Sequence, residues 1–195
     1  MNKIETEHYQ PLFNKIDELM KKKERVLVAI DGNCTAGKTT LAAQLKEIYS
    51  CNVFAMDDFF LQPYQRTAER YDEPGGNVDY ERFKQEILEP LRSGQSFSYR
   101  RFDCQTMQFR AERAQVTPNQ LNIIEGVYSL HPYFGEPYDL KVFLGLDETK
   151  QRNRLKKRNP DKYERFINEW MPLENKYFAA FKVAEKCDVE FVTDF

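Results

Sequence analysis

Cysteine pairs and histidines are scarce in this sequence, which narrows the kinds of site it can hold. The four cysteines are far apart and include no C-x-x-C pair, and the only histidines are His8 and His131. This composition argues against a zinc site and against a disulfide framework, so we expect the thiols to be reduced.

Long apolar runs and an excess of one charge are absent as well. No run approaches the roughly eighteen apolar residues of a membrane-spanning helix, and residues 1–6 are polar, so we expect a cytoplasmic protein without membrane contact. The 29 Lys and Arg residues nearly balance the 31 Asp and Glu residues, which gives no basic field for nucleic acid. The 195 residues, 41% of them hydrophobic, predict a single domain over 1–195. A homo-oligomer is compatible with this composition.

The stretch from Arg25 to Leu45 predicts a buried strand, a phosphate-binding loop and a helix. Residues 26–30 are continuously apolar, as in a strand of a parallel sheet, and Leu41 and Leu45 share one helical face. Between them stands a complete Walker A motif, whose backbone N–H groups are expected to bind phosphate oxygens. We predict that a nucleotide is bound by Gly32, Asn33, Cys34, Thr35, Ala36, Gly37, Lys38, Thr39 and Thr40.

For three side chains of this loop we expect specific roles or properties. Lys38 should reach the β- and γ-phosphates, and Thr39 should place its hydroxyl on a Mg²⁺ ion. Cys34 lies among the same amides, which should lower the pKa of its thiol.

Acidic residues follow two further short apolar strands. Asp57 comes after residues 52–56, and Glu125 ends residues 121–125. Ligands of open α/β sheets bind at the carboxyl ends of the strands. Asp57 therefore either takes the proton of an attacking hydroxyl or caps a turn, and Glu125 is a candidate ligand of Mg²⁺.

The chain after Asp57 contains breaks and caps. Residues 61–78 are polar and interrupted by proline and glycine, which predicts a loop. Asp79 then stands where it can cap a helix, and Pro90 should kink or end that helix. Pro172 should likewise kink the later aromatic helix region.

Two peripheral elements are predicted beside the sheet. Residues 94–118 contain two extended candidates and predict a projecting β-hairpin, while residues 147–162 predict a basic lid helix. Arg154 and Arg158 are one turn apart in that helix, so they form either a solvated face or a clamp on phosphates.

Short apolar strands alternate with helical patterns along the chain. This alternation predicts an α/β fold with a parallel sheet of about five strands in three layers, α/β/α. An amphipathic helix within residues 1–24 should pack on it.

The ordered set of motifs resembles the uridine kinase family, which is related to nicotinamide riboside kinase, bacterial pantothenate kinase and phosphoribulokinase. The resemblance covers roughly Val26 to Val192 and implies a nucleoside-kinase-like P-loop NTPase fold. It rests on the phosphate loop, the basic lid helix, and the segments Asp57-Asp58-Phe59-Phe60, Gly75-Gly76-Asn77-Val78-Asp79-Tyr80 and Ile124-Glu125-Gly126-Val127-Tyr128.

The resemblance implies roles for individual residues. Asp57 would accept the proton of the substrate hydroxyl, and Asp79 would hold ribose hydroxyls. Glu125 would lie near the metal, while Arg154 and Arg158 would grip phosphates and substrate.

The hairpin departs from the family. Tyr99 falls where uridine kinases place a base-contacting tyrosine, but the base-reading histidine that follows it there has no counterpart in residues 100–105. The acceptor could therefore be another nucleoside or a different small alcohol.

The expected activity is an ATP- and Mg²⁺-dependent kinase that phosphorylates a primary hydroxyl of a small, ribose-containing acceptor. One alternative is a kinase for another small alcohol, such as pantothenate or a sugar phosphate. The alternative of another class is a nucleotide-dependent switch or regulatory ATP-binding protein. Such a switch would need a guanine-reading pattern and a switch pattern in the right order. Matches to them occur at residues 14–17, before the phosphate loop, and at residues 72–75, which do not follow a buried strand.

Overall fold

A five-stranded parallel sheet forms the centre of the protein. The computed structural model describes residues 3–193, with side chains from residue 7 onward, so both ends of the predicted 1–195 domain lie outside the described residues. The strands are β1 (Val26–Gly32), β2 (Asn52–Ala55), β3 (Phe97–Asp103), β4 (Gln108–Val116), β5 (Leu121–Glu125), β6 (Leu140–Gly145) and β7 (Val189–Val192). Five of them form the sheet in the order β2-β5-β1-β6-β7, and every pairing is parallel. The predicted parallel sheet is therefore confirmed.

The inner strands are buried on both faces, as their continuous apolar sequences require. In β5, Ile123 packs into the apolar cluster on one face of the sheet and Ile124 into the cluster on the other. The register pairs Ile30 of β1 with Glu125 of β5. The acidic end of β5 therefore lies beside the point where β1 enters the phosphate loop.

Helices cover both faces of this sheet. They are α1 (Lys3–Lys22), α2 (Lys38–Tyr49), α3 (Ala68–Asp72), α4 (Tyr80–Phe83), α5 (Glu89–Ser93), α6 (Glu148–Arg158), α7 (Tyr163–Arg165) and α8 (Met171–Phe181). Leu12 of α1 and Leu41 of α2 belong to one cluster, and Phe83 of α4 and Tyr177 of α8 belong to the other. Because helices pack on both faces of the sheet, the fold has the predicted three layers, α/β/α.

The segment predicted as a loop over residues 61–78 is partly helical instead. It contains a 3₁₀ turn at Pro63–Gln65 and then α3, and the hydroxyl of Thr67 caps α3 by accepting the N–H of Arg70 at 3.2 Å. Proline suits the first turn of a helix because its missing N–H is not needed there. Proline was therefore a poor indicator of a loop at this point.

Pro90 and Pro172, which were expected to interrupt two helices, each lie in the first turn of a helix that follows a π-helical turn. The π-helical turn Lys84–Leu88 precedes α5, and Phe166–Trp170 precedes α8. The N–H of Glu89 donates to the carbonyl of Lys84, five residues earlier. This wider turn shifts the hydrogen-bond pattern just before Pro90, which lets the chain stay helical to the end of α5.

The hairpin and the lid stand beside the main sheet. Strands β3 and β4 pair antiparallel as a separate two-stranded sheet, as predicted. The lid helix α6 begins after Asp147, whose carboxylate accepts the N–H groups of Thr149 and Lys150 at 2.9 and 3.2 Å. Within residues 3–193, none of the helices has the length and apolarity needed to cross a bilayer.

Candidate active site

The phosphate loop is tied to the neighbouring strand β6 by its backbone. The N–H of Asn33 donates to the carbonyl of Leu144 at 3.1 Å, and the Asn33 side-chain oxygen accepts the N–H of Leu146 at 3.1 Å. Gly32 has φ +134°, and a Cβ added there would lie 2.1 Å from the Leu144 oxygen. The close approach of loop and strand therefore requires glycine at position 32.

The functional side chains of the loop point at its own backbone and at β5. The buried Lys38 Nζ donates to the carbonyls of Gly32 and Asn33 at 2.7 and 2.8 Å. Thr39 Oγ1 donates to the carboxylate of Glu125, with 3.2 Å to each oxygen. A lysine, a hydroxyl and a carboxylate thus meet at the carboxyl edge of the sheet.

Strand order brings the second predicted acid to the same place. Asp57 lies in the 3₁₀ turn Met56–Phe59 after β2, and β2 pairs with β5. Burial and the negative charge of Asp57 raise the pKa of Glu125 to about 7, against the opposing positive charge of Lys38. Loss of hydration also raises the pKa of Asp57, while the positive charges of Lys38 and Arg158 lower it.

The donor atoms suit Mg²⁺ held mainly by a nucleotide. Among residues 7–193, no group of three or more His, Cys, Asp or Glu side chains could hold a metal by itself. Thr39 and Glu125 supply only a hydroxyl and one carboxylate. That small set of hard oxygen ligands fits Mg²⁺, which keeps several water or phosphate ligands.

These residues open into one large cleft of about 1270 Å³. Its lining includes Cys34, Thr35, Gly37, Lys38, Thr39, Thr40, Asp57, Glu125, Arg154 and Arg158 from the predicted sets. Gly32, Asn33 and Ala36 lie behind the loop surface, and Asp79 and Tyr99 do not line the cleft. Most of the predicted site therefore comes together.

The lid helix contacts the phosphate loop directly. Arg154 Nη1 donates to the carbonyl of Thr35 at 3.1 Å, and its Nη2 donates to the carbonyl of Thr193 at 3.0 Å. Arg158 lies one turn later on the same helix and lines the cleft. The lid arginines thus face the loop rather than bulk solvent alone.

Known proteins resemble this chain at the level of fold and sequence. No protein-family model matches it. The uridine kinase of Halobacterium salinarum is 26% identical over 130 residues, which cover 62% of this chain but only 56% of that protein's length. A structure described as a possible uridine kinase from Bacillus stearothermophilus has a TM-score of 0.65 and 23% identity, and the match covers 93% of this chain and 99% of that one. The resemblance to uridine kinases is confirmed.

A third similar protein bears on the fold. The D-glycerate 3-kinase from Cryptococcus neoformans var. grubii has a TM-score of 0.68 and 16% identity, and the match covers 94% of each chain. The chain therefore has the α/β P-loop fold of these structures, as predicted. These three proteins are all named as kinases, two of them for uridine and one for D-glycerate.

Asp79 is a helix cap. It is 3% exposed, and its Oδ1 accepts the N–H of Arg82 at 3.1 Å, the first-turn geometry of a cap. Its Oδ2 accepts from Gln65 Nε2 at 3.0 Å and lies 3.5 Å from Arg82 Nε. The predicted role in holding ribose hydroxyls stays a prediction.

Tyr99 is packed in the core rather than displayed in the cleft. It is 3% exposed, its ring stacks on Phe59 with centroids 5.8 Å apart, and its hydroxyl donates to Asp58 at 3.3 Å. The hairpin reaches the cleft through Cys104 and Met107 in its turn instead. Alternation along β3 could not reveal this, because both faces of the strand carry aromatic residues.

The expected lowering of the Cys34 pKa is wrong. Burial, together with the negative charge of Glu174, raises the pKa of this thiol to about 12. Gln151 Nε2 lies 2.9 Å from the sulfur as a donor. The neighbouring amides cannot outweigh the loss of water around the thiolate.

Three buried polar residues of the cleft were missed as site candidates, namely Asn77, Tyr128 and Glu174. Among the described residues, Asn77 Oδ1 and Tyr128 Oη have no hydrogen-bond partner of normal geometry, although the Asn77 side chain lies close enough to the Tyr128 hydroxyl to lower its pKa. Tyr128 also has φ +77°, which is unusual for a residue with a side chain. Glu174 Oε2 accepts the N–H of Cys34 at 3.1 Å. Asn77 and Tyr128 stand inside the motifs of the resemblance, whereas Glu174 carries no local sequence signal.

Proposed function

We propose that this chain is an ATP- and Mg²⁺-dependent kinase that transfers a phosphoryl group to a primary hydroxyl of a small, ribose-containing acceptor. The observation that carries the proposal is the position of Asp57. Its carboxylate lies in the cleft under the combined influence of Lys38 and Arg158, next to the Thr39–Glu125 pair. A base, a phosphate-binding lysine and a metal-binding pair are the parts that phosphoryl transfer to an alcohol requires.

The donor nucleotide would bind to residues 32–40. Backbone N–H groups of the loop would hold the phosphate oxygens, and Lys38 would exchange its two carbonyl partners for the β- and γ-phosphates. Mg²⁺, held by Thr39, Glu125 and the nucleotide, would neutralise charge on the phosphates.

The acceptor hydroxyl would lose its proton to Asp57. As the hydroxyl oxygen forms its bond to the γ-phosphorus, the bond from that phosphorus to the β–γ bridging oxygen breaks and ADP leaves. The raised pKa of Asp57 makes it a stronger base than an ordinary carboxylate, while Lys38 and Arg158 favour its ionised form. Arg154 and Arg158 would hold the transferred group until the lid opens.

A hydroxylated acceptor is supported by the unsatisfied polar atoms in the cleft. Asn77 Oδ1 can accept from a hydroxyl, and Tyr128 Oη can donate to one or accept from one. Asp79 would join them only by giving up its bond from Gln65. Another small alcohol, such as pantothenate or a sugar phosphate, would satisfy the same atoms.

The test is ADP production from ATP and Mg²⁺ in the presence of single acceptors. The panel contains nucleosides, vitamins with primary hydroxyls and sugar phosphates. Stimulation by one acceptor, with a phosphorylated product found by mass spectrometry, is expected. ATP turnover that no small acceptor stimulates but a protein partner does would instead support a nucleotide-dependent switch.

A further inference from the structure

Part of the cleft wall carries positive charge that the protein itself does not neutralise. Arg165 lines the cleft but pairs with Glu169 at 2.9 Å. Arg66 and Lys162 line it too, and within the part of the chain that the structure describes no carboxylate lies within 4.0 Å of either side chain. Lys157 and Arg158 of the lid helix also line the cleft without such a carboxylate among the described residues, but they are exposed, whereas Arg66 is partly buried and lies outside the lid.

Arg66 is held in a way that leaves its outer nitrogens available. Its Nε donates to the carbonyl of Leu61 at 3.0 Å, and the residue is partly buried. Nearby arginines are matched with acids, since Arg70 contacts Glu81 and Arg100 contacts Glu86, each at 2.7 Å. A partly buried guanidinium without a counter-ion is unfavourable, and an anionic ligand would offset that cost.

Arg66 and Lys162 line the same cleft as Asp57 and the turn of the hairpin. The thiol of Cys104, in the hairpin turn, is within electrostatic reach of all three residues. Burial raises the pKa of that thiol, Arg66 and Lys162 lower it, and Asp57 raises it. The unpaired cations therefore lie on the acceptor side of Asp57, whereas the phosphate loop forms the donor side.

We propose that the acceptor carries an anionic group, a carboxylate or a phosphate monoester, which Arg66 binds and Lys162 covers from the lid. This inference rests on the proposed kinase function and narrows its substrate class. The planar guanidinium can bind either anion with two parallel hydrogen bonds, while the lysine adds a positive charge. The hydroxyl to be phosphorylated would then point at Asp57 from an anchored molecule.

The test compares acceptors that differ in one anionic group. The pairs are orotidine with uridine, pantothenate with pantothenol, and fructose 1-phosphate with fructose. ADP formation is measured for the wild type, for Arg66→Gln, and for Arg66→Lys, which keeps the charge. Arg92→Gln is the matched control, because Arg92 is exposed on α5 and lies outside the cleft.

We expect the charged member of at least one pair to have the higher kcat/KM. Arg66→Gln should lower that kcat/KM by about tenfold or more, through the loss of a charge-assisted hydrogen bond. Arg66→Lys should retain an intermediate value, and Arg92→Gln should match the wild type. The KM for ATP should not change in any of these variants. A higher kcat/KM for the charged member of a carboxylate pair, or of the phosphate pair, identifies which anion the protein binds.

Two results would overturn the inference while leaving the kinase function intact. One is equal or better turnover of the neutral members, and the other is an Arg66→Gln variant whose defect is a raised KM for ATP. Absence of ADP formation with every acceptor would overturn the kinase function instead. In that case the charged compounds are titrated by calorimetry into the MgADP-loaded wild type and into Arg66→Gln. Weaker binding to the variant supports the inference, whereas equal binding to both, or no binding to either, contradicts it.

Discussion

The proposed donor and acceptor sides of the cleft are built in different ways. The donor side is one contiguous stretch, residues 32–40, in which Lys38 and Thr39 are bonded to other groups of the protein, although Thr35 Oγ1 has no hydrogen-bond partner among the described residues. The acceptor side combines Asp57, Arg66 and Asn77 from separate turns, and Asn77 Oδ1 has no partner among the described residues. In this proposal, phosphate recognition is a local property of backbone shape, whereas acceptor recognition depends on how distant segments pack.

The largest effect that separates the two sides should come from Asp57→Asn. An amide cannot take the hydroxyl proton, so kcat should fall by about 10²–10⁴-fold. ATP affinity, a property of the donor side, should be unchanged in calorimetry. Asp58→Asn is the control, because that carboxylate contacts Tyr99 and Arg101 in the hairpin. Near-wild-type turnover of Asp57→Asn would remove Asp57 from the role of base.

The second-largest effect is expected from Gly32→Ala, which should distort the phosphate loop on the donor side. A Cβ at this position would collide with the backbone of Leu144, in addition to the strain of φ +134°. We expect the free energy of unfolding to fall by about 3 kcal/mol, with loss of ATP binding. Gly135→Ala, at φ +71° with nothing within 4 Å, should lose only about 1 kcal/mol. Urea denaturation of both variants measures the difference, and equal losses would contradict the collision.

A buried histidine behind the acceptor side should make stability depend on pH. Burial lowers the pKa of His131 from 6.5 to about 4, with a backbone hydrogen bond at Pro74 opposing the shift. The folded state then binds fewer protons than the unfolded state between these values. The contribution of His131 to stability is therefore fully present above pH 6.5 and falls as the pH drops towards 4, with a loss of about 2 kcal/mol at pH 5. The raised pKa of Glu125 acts in the opposite direction, so the wild type alone does not isolate this loss. Urea unfolding of the wild type and of His131→Gln at pH 7 and pH 5 checks it: between these pH values the wild type should lose about 2 kcal/mol relative to the variant, and equal pH dependence would contradict the role of His131.

The smallest effect is expected from Tyr99→Phe. The ring keeps its packing on Phe59, and only the hydrogen bond to Asp58 is lost, so stability should fall by about 1 kcal/mol or less. The KM for the acceptor should stay the same, because Tyr99 does not line the cleft. A large rise in that KM would show that Tyr99 reaches the acceptor after all.

The local sequence was sufficient where one segment defines a structure. The Walker A stretch predicted strand, loop and helix, because the glycines and the apolar run act within about twenty residues of each other. A continuous apolar run likewise predicted β5, with Glu125 at its end. The lid helix and the hairpin were predicted from their own patterns.

Only the tertiary structure decided which side chains face the cleft. Tyr99 and Asp79 lie in motifs of the resemblance yet are buried, while Glu174 contacts the phosphate loop from 140 residues away. Burial also reversed the expected pKa shift of Cys34. The sequence by itself therefore determined the sheet, the phosphate loop and the acids at the strand ends. Packing decided the acceptor side, because desolvation and ion pairing depend on neighbours that are distant in the chain.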